Sequence, residues 1–458
     1  MEIIDKPIIK SFVLNNEYFV YDTFLNKLIE FDLKHYKEIL YLSKVGISRY
    51  LSLKNENIEY VNICGMIRQG FFKAKIINNV ENYLTPYIEQ LTKTSVNDIV
   101  LQITQDCNFK CRYCSYALDS MIDRNHESIN MDWNIAKKSV DFLFEHSRDM
   151  RTIAIGFYGG EPLLNFNLIE QVVNYSNHKF NTKRIIYRMT TNVSLINEKI
   201  LNFLVKNDFL VSLSIDGPRH IQNLHRTFKS NGKGTFDVVL NKLQLIKSKH
   251  PKFFIKNVSV IPVVVESEDY DMIYNFFNEL GFTKDNIHIL NANMNGVDFI
   301  PNINLNEEKK YEENSFSNFE IINEYEDIYL NKTILPENWH HAGTCIPGVK
   351  RLFIDTNGNF FPCEKILLRN NLNIGNLNRG FDIKKIIEFS NIGKISEERC
   401  KTCWAMRFCK ICVGQCNDIE KCTLCKKQKN ITCDNIENNT LWFLKNKILR
   451  KQREEKNE

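Results

Sequence analysis

Residues 99–114 read IVLQITQDCNFKCRYC, a strand-length apolar run followed by three cysteines within eight residues. The segment 99–104 has the length and β-branched content of a buried strand. Working outward, similar segments recur at 152–158, 185–192, 209–216, 257–266 and 287–293. Helical patterns lie between them, at 168–178, 197–206, 236–249 and 269–280. In another, Ala136, Val140, Leu143 and Phe144 take the i, i+4, i+7 and i+8 positions of one buried face. Strands alternating with helices predict βαβ units and a parallel sheet. Six such units over 99–293 predict an α/β fold, a partial (β/α)6 barrel. Sites in such folds form at the carboxyl ends of the strands, where the triplet stands.

Cys107-x3-Cys111-x2-Cys114 provides three thiolates from one loop. On a four-iron cluster, three ligands leave one iron without a protein ligand, and an open position marks a catalytic metal site. A zinc knuckle or a partial ferredoxin loop is the competing reading. Tyr158-Gly159-Gly160-Glu161-Pro162 follows the second strand. Its glycines predict a close approach of main chain to a small ligand, and its carboxylate an acceptor for an ammonium group. Thr190-Thr191-Asn192 ends the third strand and Ser214-Ile215-Asp216-Gly217-Pro218 the fourth, with Arg226 shortly after. An arginine can pair bidentately with a carboxylate. Each cluster alone reads as ordinary turn chemistry; four at successive strand ends make a shared rim.

The chain has 458 residues, with 43% hydrophobic, 25% charged and a net charge of +5. That length predicts two or three domains. The small positive balance does not demand nucleic acid and suits an acidic peptide. No apolar run reaches the ~20 residues of a membrane span. MEIIDKPIIKSF has acids where a signal peptide needs an apolar core, so a cytoplasmic protein is expected. Fourteen cysteines in that compartment point to metal rather than disulfides. Cys64 stands alone and reads as a buried apolar thiol. Ten more lie from Cys345 to Cys433, too many for one cluster, with zinc ribbons as the rival reading.

Before the first strand, residues 1–95 read as a small α+β module. Two or three antiparallel strands with Asn-Asn and Asn-Lys turns cover 8–32, and helices are expected at 35–42 and 79–91. The strand–helix region is placed at 96–300, an Asn- and Glu-rich bridging segment at 301–340 and a cysteine-rich domain at 341–440. Metal is expected to replace apolar core in that domain. A C-terminal helix at 441–458 frays into a charged tail.

With its aromatic Tyr113 before the last cysteine, the triplet resembles that of the radical S-adenosylmethionine superfamily, over 99–293. Gly159, Gly160, Glu161 and Pro162 match the family's GGEP motif. The resemblance implies that Cys107, Cys111 and Cys114 hold a catalytic [4Fe–4S] cluster, and that the motif binds the amino group of the cofactor's methionine moiety. It further implies Ser214 and Arg226 at the methionine carboxylate, and Asn192 and Asp216 near the ribose. The adenine-side glycine motif is missing, since VSVIPVVVE at 258–266 has no glycine. The chemistry implied is one-electron cleavage of S-adenosylmethionine to a 5′-deoxyadenosyl radical.

The later cysteines resemble the SPASM extension of peptide maturases, which binds two auxiliary [4Fe–4S] clusters, giving three clusters in all. Cys345, Gly358 and Cys363 fit its opening, and Cys400, Cys403 and Cys409 its middle. Position 413, where the family usually has the next cysteine, is Val413, so Cys412 or Cys416 takes that role. By the family's wiring, Cys345, Cys363 and Cys412 or Cys416 hold the first auxiliary cluster, and Cys400, Cys403, Cys409 and Cys433 the second. Cys422 and Cys425 stay unassigned. His340 and His341 are candidate ligands whose ordinary reading is polar loop residues. The segment CWAMRFCKIC resembles maturases of cysteine-rich peptides, of the sactipeptide and ranthipeptide kind, and the N-terminal module resembles their winged-helix-like leader-binding element. The resemblance implies a maturase that joins cysteine sulfur to carbon in a ribosomally made peptide. Its partners are a precursor peptide with leader and an electron donor such as flavodoxin or ferredoxin. A formylglycine-forming sulfatase maturase, a carbon–carbon cross-linker and a non-catalytic zinc protein are the alternatives.

Overall fold

The structure, a computed structural model, describes residues 5–74, 76–114, 128–265, 269–291, 337–340, 345–366, 370–418 and 423–457. Most of the bridging segment, with His341 and Cys422, lies outside them.

Strands β1 (Ile9–Leu14), β2 (Glu17–Asp22) and β3 (Lys27–Phe31) form an antiparallel sheet in that order. Asn15 and Asn16 have φ of 50° and 64°, the left-handed pair that a two-residue hairpin turn needs. Helix α1 (Leu33–Val45) begins on Asp32, whose carboxylate accepts from the Lys34 and His35 amides at 2.8 and 3.0 Å. Helices α2 (Ile47–Leu51) and α3 (Ile58–Arg68) follow, both unforeseen. Cys64 is buried beneath them, as expected. The helix expected at 79–91 forms only from Thr85 onward. Residues 78–82 instead bond across to Glu337 and Asn391, which draws the segment into a tertiary contact.

The parallel sheet begins with β4 (Asp98–Thr104), buried at every residue. A short β5 (Phe109–Cys111) lies in the triplet loop, and β6 (Thr152–Gly159), β7 (Arg184–Thr191) and β8 (Leu210–Leu213) continue the sheet. Next come β9 (Arg226–Phe228), β10 (Val258–Val260), β11 (Val263–Val264) and β12 (Leu290–Asn291). The order is β10-β8-β7-β6-β4, all parallel. The fifth expected strand is broken at Pro262, which has no N–H for the ladder, and its second half pairs in parallel with β12. Of the buried face expected on Trp133–His146, Phe144 is the exception, 41% exposed, while Ser139 and Phe142 turn inward.

Four further strands of this sheet were not foreseen. On the other edge of β4 lies β13 (Leu352–Ile354), parallel to it, and β14 (Asn359–Phe361), β15 (Gly375–Asn376) and β16 (Gly380–Phe381) extend the sheet antiparallel. The cysteine-rich region is therefore built onto the sheet. A helix, Lys426–Asn457, then runs unbroken where a fraying tail was expected. It holds because Trp442, Phe443, Leu444 and Ile448 are buried against Phe12, Phe19 and Tyr21 of the N-terminal sheet. No helix among the described residues is long and apolar enough to cross a membrane.

Candidate functional site

The carboxyl ends of β4, β6, β7 and β8 bring the predicted residues to one rim. Thr104 Oγ1 accepts from the Asp106 amide at 3.1 Å, and Asp106 accepts from the Cys107 amide at 2.9 Å. Cys107 Sγ receives the Phe109 amide at 3.4 Å and Asn192 Nδ2 at 3.9 Å; Cys111 Sγ receives Arg226 Nη1 at 3.9 Å. A ribbon of β5 against β9 sets Cys111 opposite Arg226. Burial pushes the Cys107 thiol far up and the Cys111 thiol to about 11. These are desolvated sulfurs met by N–H donors, a donor set that suits metal-bound thiolate.

The two glycines serve a different approach from the expected one. A Cβ on Gly159 (φ 144°) would lie 2.1 Å from Thr104 O, and one on Gly160 would lie 2.0 Å from Asp106 O. Gly160 and Glu161 amides donate to those carbonyls at 2.9 and 2.8 Å. The space a side chain would take is filled by the triplet loop's own backbone, not left for a ligand. Glu161 is 1% exposed and accepts from Thr191 Oγ1 at 2.7 Å and from the Asn192 and Leu163 amides at 2.7 and 3.1 Å. Burial raises its pKa to about 7 despite those donors.

Arg226 is committed within the protein. Its Nε and Nη2 reach the two Asp216 oxygens, both at 2.9 Å, and Tyr113 OH donates to Asp216 at 2.5 Å. The Val263 amide adds a fourth bond to Asp216 at 3.1 Å. Ser214 stands beside this group, its amide bonded to Thr191 O at 2.8 Å. Asn192 Nδ2 donates to Asn108 at 2.8 Å, and its oxygen accepts from Ser194 Oγ at 2.7 Å. Sequence reasoning missed Asn108 and Ser194, which tie the triplet loop to the end of β7. Between Asn192 and Ser194, buried Val193 has φ 67°, a strained value for a β-branched residue.

The later cysteines gather in two groups. Cys400, Cys403, Cys409 and Cys433 line one cavity, together with Trp339 and Lys429. Burial raises Cys403 well above the usual thiol range and Cys409 to about 12. The buried Trp339 Nε1 has no hydrogen-bond partner among the described residues. Four sulfurs and an unanswered donor around a hole fit a sulfur-rich cluster. In the second group, Cys363 is raised to about 11, by burial first, and neighbouring Cys345 and Cys412 both interact with it. Cys416, fully buried, lies between the groups, with Cys412, Cys433 and Cys400 as its thiol neighbours. The Cys425 amide donates to Cys416 O at 2.8 Å. His340 Nε2 accepts from the Gly393 amide at 3.1 Å, and burial lowers its pKa to about 4. Among the described residues no three His, Cys, Asp or Glu side chains close on a single metal ion.

The group around Cys363 lies at the opposite end of the sheet from the triplet. β13 starts level with Ile99 and β14 returns antiparallel, so Cys363 falls near the amino end of β4, about 20 Å along a seven-residue strand from Cys107. The loop Cys403–Cys409 is clamped by the N-terminal module. Arg407, 2% exposed, donates from Nε to Thr23 O at 2.7 Å and from Nη2 to Phe24 O at 2.8 Å, and Thr23 Oγ1 donates to Trp404 O at 2.9 Å.

Residues 101–280 match the family model of the Radical SAM superfamily. An uncharacterized protein of Methanocaldococcus jannaschii is 32% identical over 254 residues, 52% of this chain and 85% of that one. A cysteine-type anaerobic sulfatase-maturating enzyme of Clostridium perfringens is 26% identical over 342 residues, 70% of this chain and 89% of that one. The solved structure of native anSMEcpe with bound AdoMet superposes with a TM-score of 0.54 at 24% identity, covering 75% of this chain and 99% of that one. The matched span holds the triplet, Glu161 and the Asp216–Arg226 pair, and by that match and these relatives the chain belongs to the radical SAM superfamily.

Proposed function

We propose that this radical S-adenosylmethionine enzyme is a peptide maturase that installs thioether cross-links, cysteine sulfur to carbon, in a ribosomally made, cysteine-rich peptide. Cys107, Cys111 and Cys114 would hold the catalytic [4Fe–4S] cluster. Cys400, Cys403, Cys409 and Cys433 would hold one auxiliary cluster, and Cys345 and Cys363 with Cys412 or Cys416 the other. When bound, the catalytic cluster supplies the electron that splits S-adenosylmethionine and yields the 5′-deoxyadenosyl radical. Glu161, buried and held by three donors, offers its carboxylate to the cofactor's ammonium group. Asp216 fixes Arg226 and Tyr113 beside Cys111, and Asn192 with Asn108 keeps the loop closed beside Cys107. Ser214 completes the cofactor-binding rim, and Gly159 and Gly160 seat the triplet loop against it.

One observation carries the choice of substrate: a three-stranded sheet with its own helices is docked, through Arg407, onto the cysteine loop. Residues 1–95 would capture the leader of the precursor as an added strand on an edge of that sheet. A quarter of the chain extends beyond the anSMEcpe fold, which leaves room for such an added module. The second reading, a formylglycine-forming sulfatase maturase, is favoured by the likeness to the Clostridium perfringens enzyme over 89% of its length. Flavodoxin or ferredoxin would supply the electron.

The test is anaerobic turnover with a leader-bearing cysteine-rich peptide and, separately, with a sulfatase-derived peptide. A thioether product is lighter by about two hydrogens per link, with a cysteine that no longer takes up alkylating reagent and 5′-deoxyadenosine released. Modification of the sulfatase peptide alone, with loss of sulfur, would overturn the thioether reading.

A further inference from the structure

Lys429 is fully buried, yet no carboxylate pairs with it among the described residues. It lines the four-cysteine cavity, where its Nζ donates to Cys400 Sγ at 3.4 Å and to Ser396 Oγ. It stands four residues before Cys433 on the helix Lys426–Asn457, a spacing that puts both on one face. Burial raises the Cys409, Cys416 and Cys433 thiols, and the Lys429 charge opposes that rise at each of them. Arg399, also at the cavity, is already satisfied by Asp434 at 2.5 Å, Glu437 at 2.7 Å and Asn430 O at 3.2 Å. A buried ammonium without an anion is costly, so its place in the fold requires a negative group within the cavity.

We propose that Lys429 is a fixed cation built into the four-cysteine cavity, a positioning residue that balances an iron–sulfur centre there and raises its reduction potential. The inference rests on the reading of that cavity as an auxiliary-cluster site. Four thiolates around a [4Fe–4S] core of charge 2+ carry a net charge of about −2, and one added electron makes it −3. A cation in contact with one of those sulfurs stabilises the more negative state, as donors around a metal site do generally. Trp339 Nε1, buried in the same cavity wall, supplies a neutral donor beside it.

The experiment compares the whole, anaerobically reconstituted chain with its Lys429→Met and Lys429→Arg variants. Iron per chain is counted, and a reductive titration follows the electron paramagnetic resonance signal that Cys433→Ala removes. In Lys429→Met the reduction equilibrium of that centre is expected to fall at least about tenfold, 59 mV for one electron, and Lys429→Arg to restore most of it. Loss of that centre's iron in Lys429→Met with retention in Lys429→Arg also supports the charge requirement. Unchanged iron and potential in Lys429→Met, or a defect that Lys429→Arg fails to rescue, overturns the proposal. Failure of the underlying reading looks different: Cys400→Ala and Cys433→Ala would then hold as much iron as the unaltered chain.

Discussion

The triplet loop and the four-cysteine cavity solve the same problem in opposite ways. The triplet takes its thiols from eight consecutive residues and depends on backbone: Gly159 and Gly160 let a second strand end lie directly on the loop. The cavity takes its thiols from the 400–409 loop and a distant helix, and depends on side chains packed between domains, with Lys429 inside and Arg407 outside. A site drawn from one loop is fixed by local geometry. One assembled from distant segments is only as firm as the contacts that bring them together.

Substitution of the thiols breaks the comparison most sharply. Cys107→Ala is expected to abolish S-adenosylmethionine cleavage and remove about four of about twelve irons per chain. Cys400→Ala is expected to remove a similar amount while leaving reductive cleavage of the cofactor in place. Iron analysis and 5′-deoxyadenosine release check both. Equal loss of cleavage in the two variants would mean that the sites are not independent.

Gly160→Ala tests the backbone dependence. Its Cβ would sit 2.0 Å from Asp106 O, so the loop must move. A loss of about 3 kcal/mol or more is expected, with loss of the triplet's cluster before the others. Urea denaturation and the spectrum of the reconstituted chain report on this. Arg407→Met tests the packing dependence. It strands the buried carbonyl of Thr23 and the part-buried one of Phe24, at a cost of about 2–4 kcal/mol. Iron is expected to fall at the four-cysteine cavity and not at the triplet, with faster proteolysis of the N-terminal module.

A pH dependence, spread over more than two pH units, is the most gradual effect. In the folded chain the Glu161 carboxyl keeps its proton up to about pH 7, against 4.5 when exposed. Between those values the folded state binds more protons than the unfolded one, so stability falls as pH rises through the window and levels off above it. The span is about 3 kcal/mol in the metal-free chain. Glu161→Gln is expected to flatten it, as denaturation midpoints at pH 5 and pH 8 would show.

The parallel sheet was legible because the strands of the 99–264 region are short, mainly apolar segments alternating with helical patterns, and the triplet because three cysteines at that spacing have few other uses. What escaped were elements chosen by tertiary partners. β5, β9 and β13 are three-residue strands that exist only through their pairing. The Gly159-Gly160 pair was visible, but what it makes room for, Thr104 and Asp106, lies far back in the chain. The helix Lys426–Asn457 is so polar that its buried stripe, Trp442 to Ile448, is hidden by sequence around it. Lys429 reads as one more surface lysine until the cavity is seen.

That helix has a mechanical consequence. Cys433 and Trp442 lie nine residues apart on it, about 13 Å, with neither proline nor glycine between them to act as a joint. The first reaches the sulfur cage and the second the floor of the N-terminal sheet. Any tilt of that sheet against the rod therefore arrives at the cage as a displacement of Cys433, with nothing along the way to absorb it.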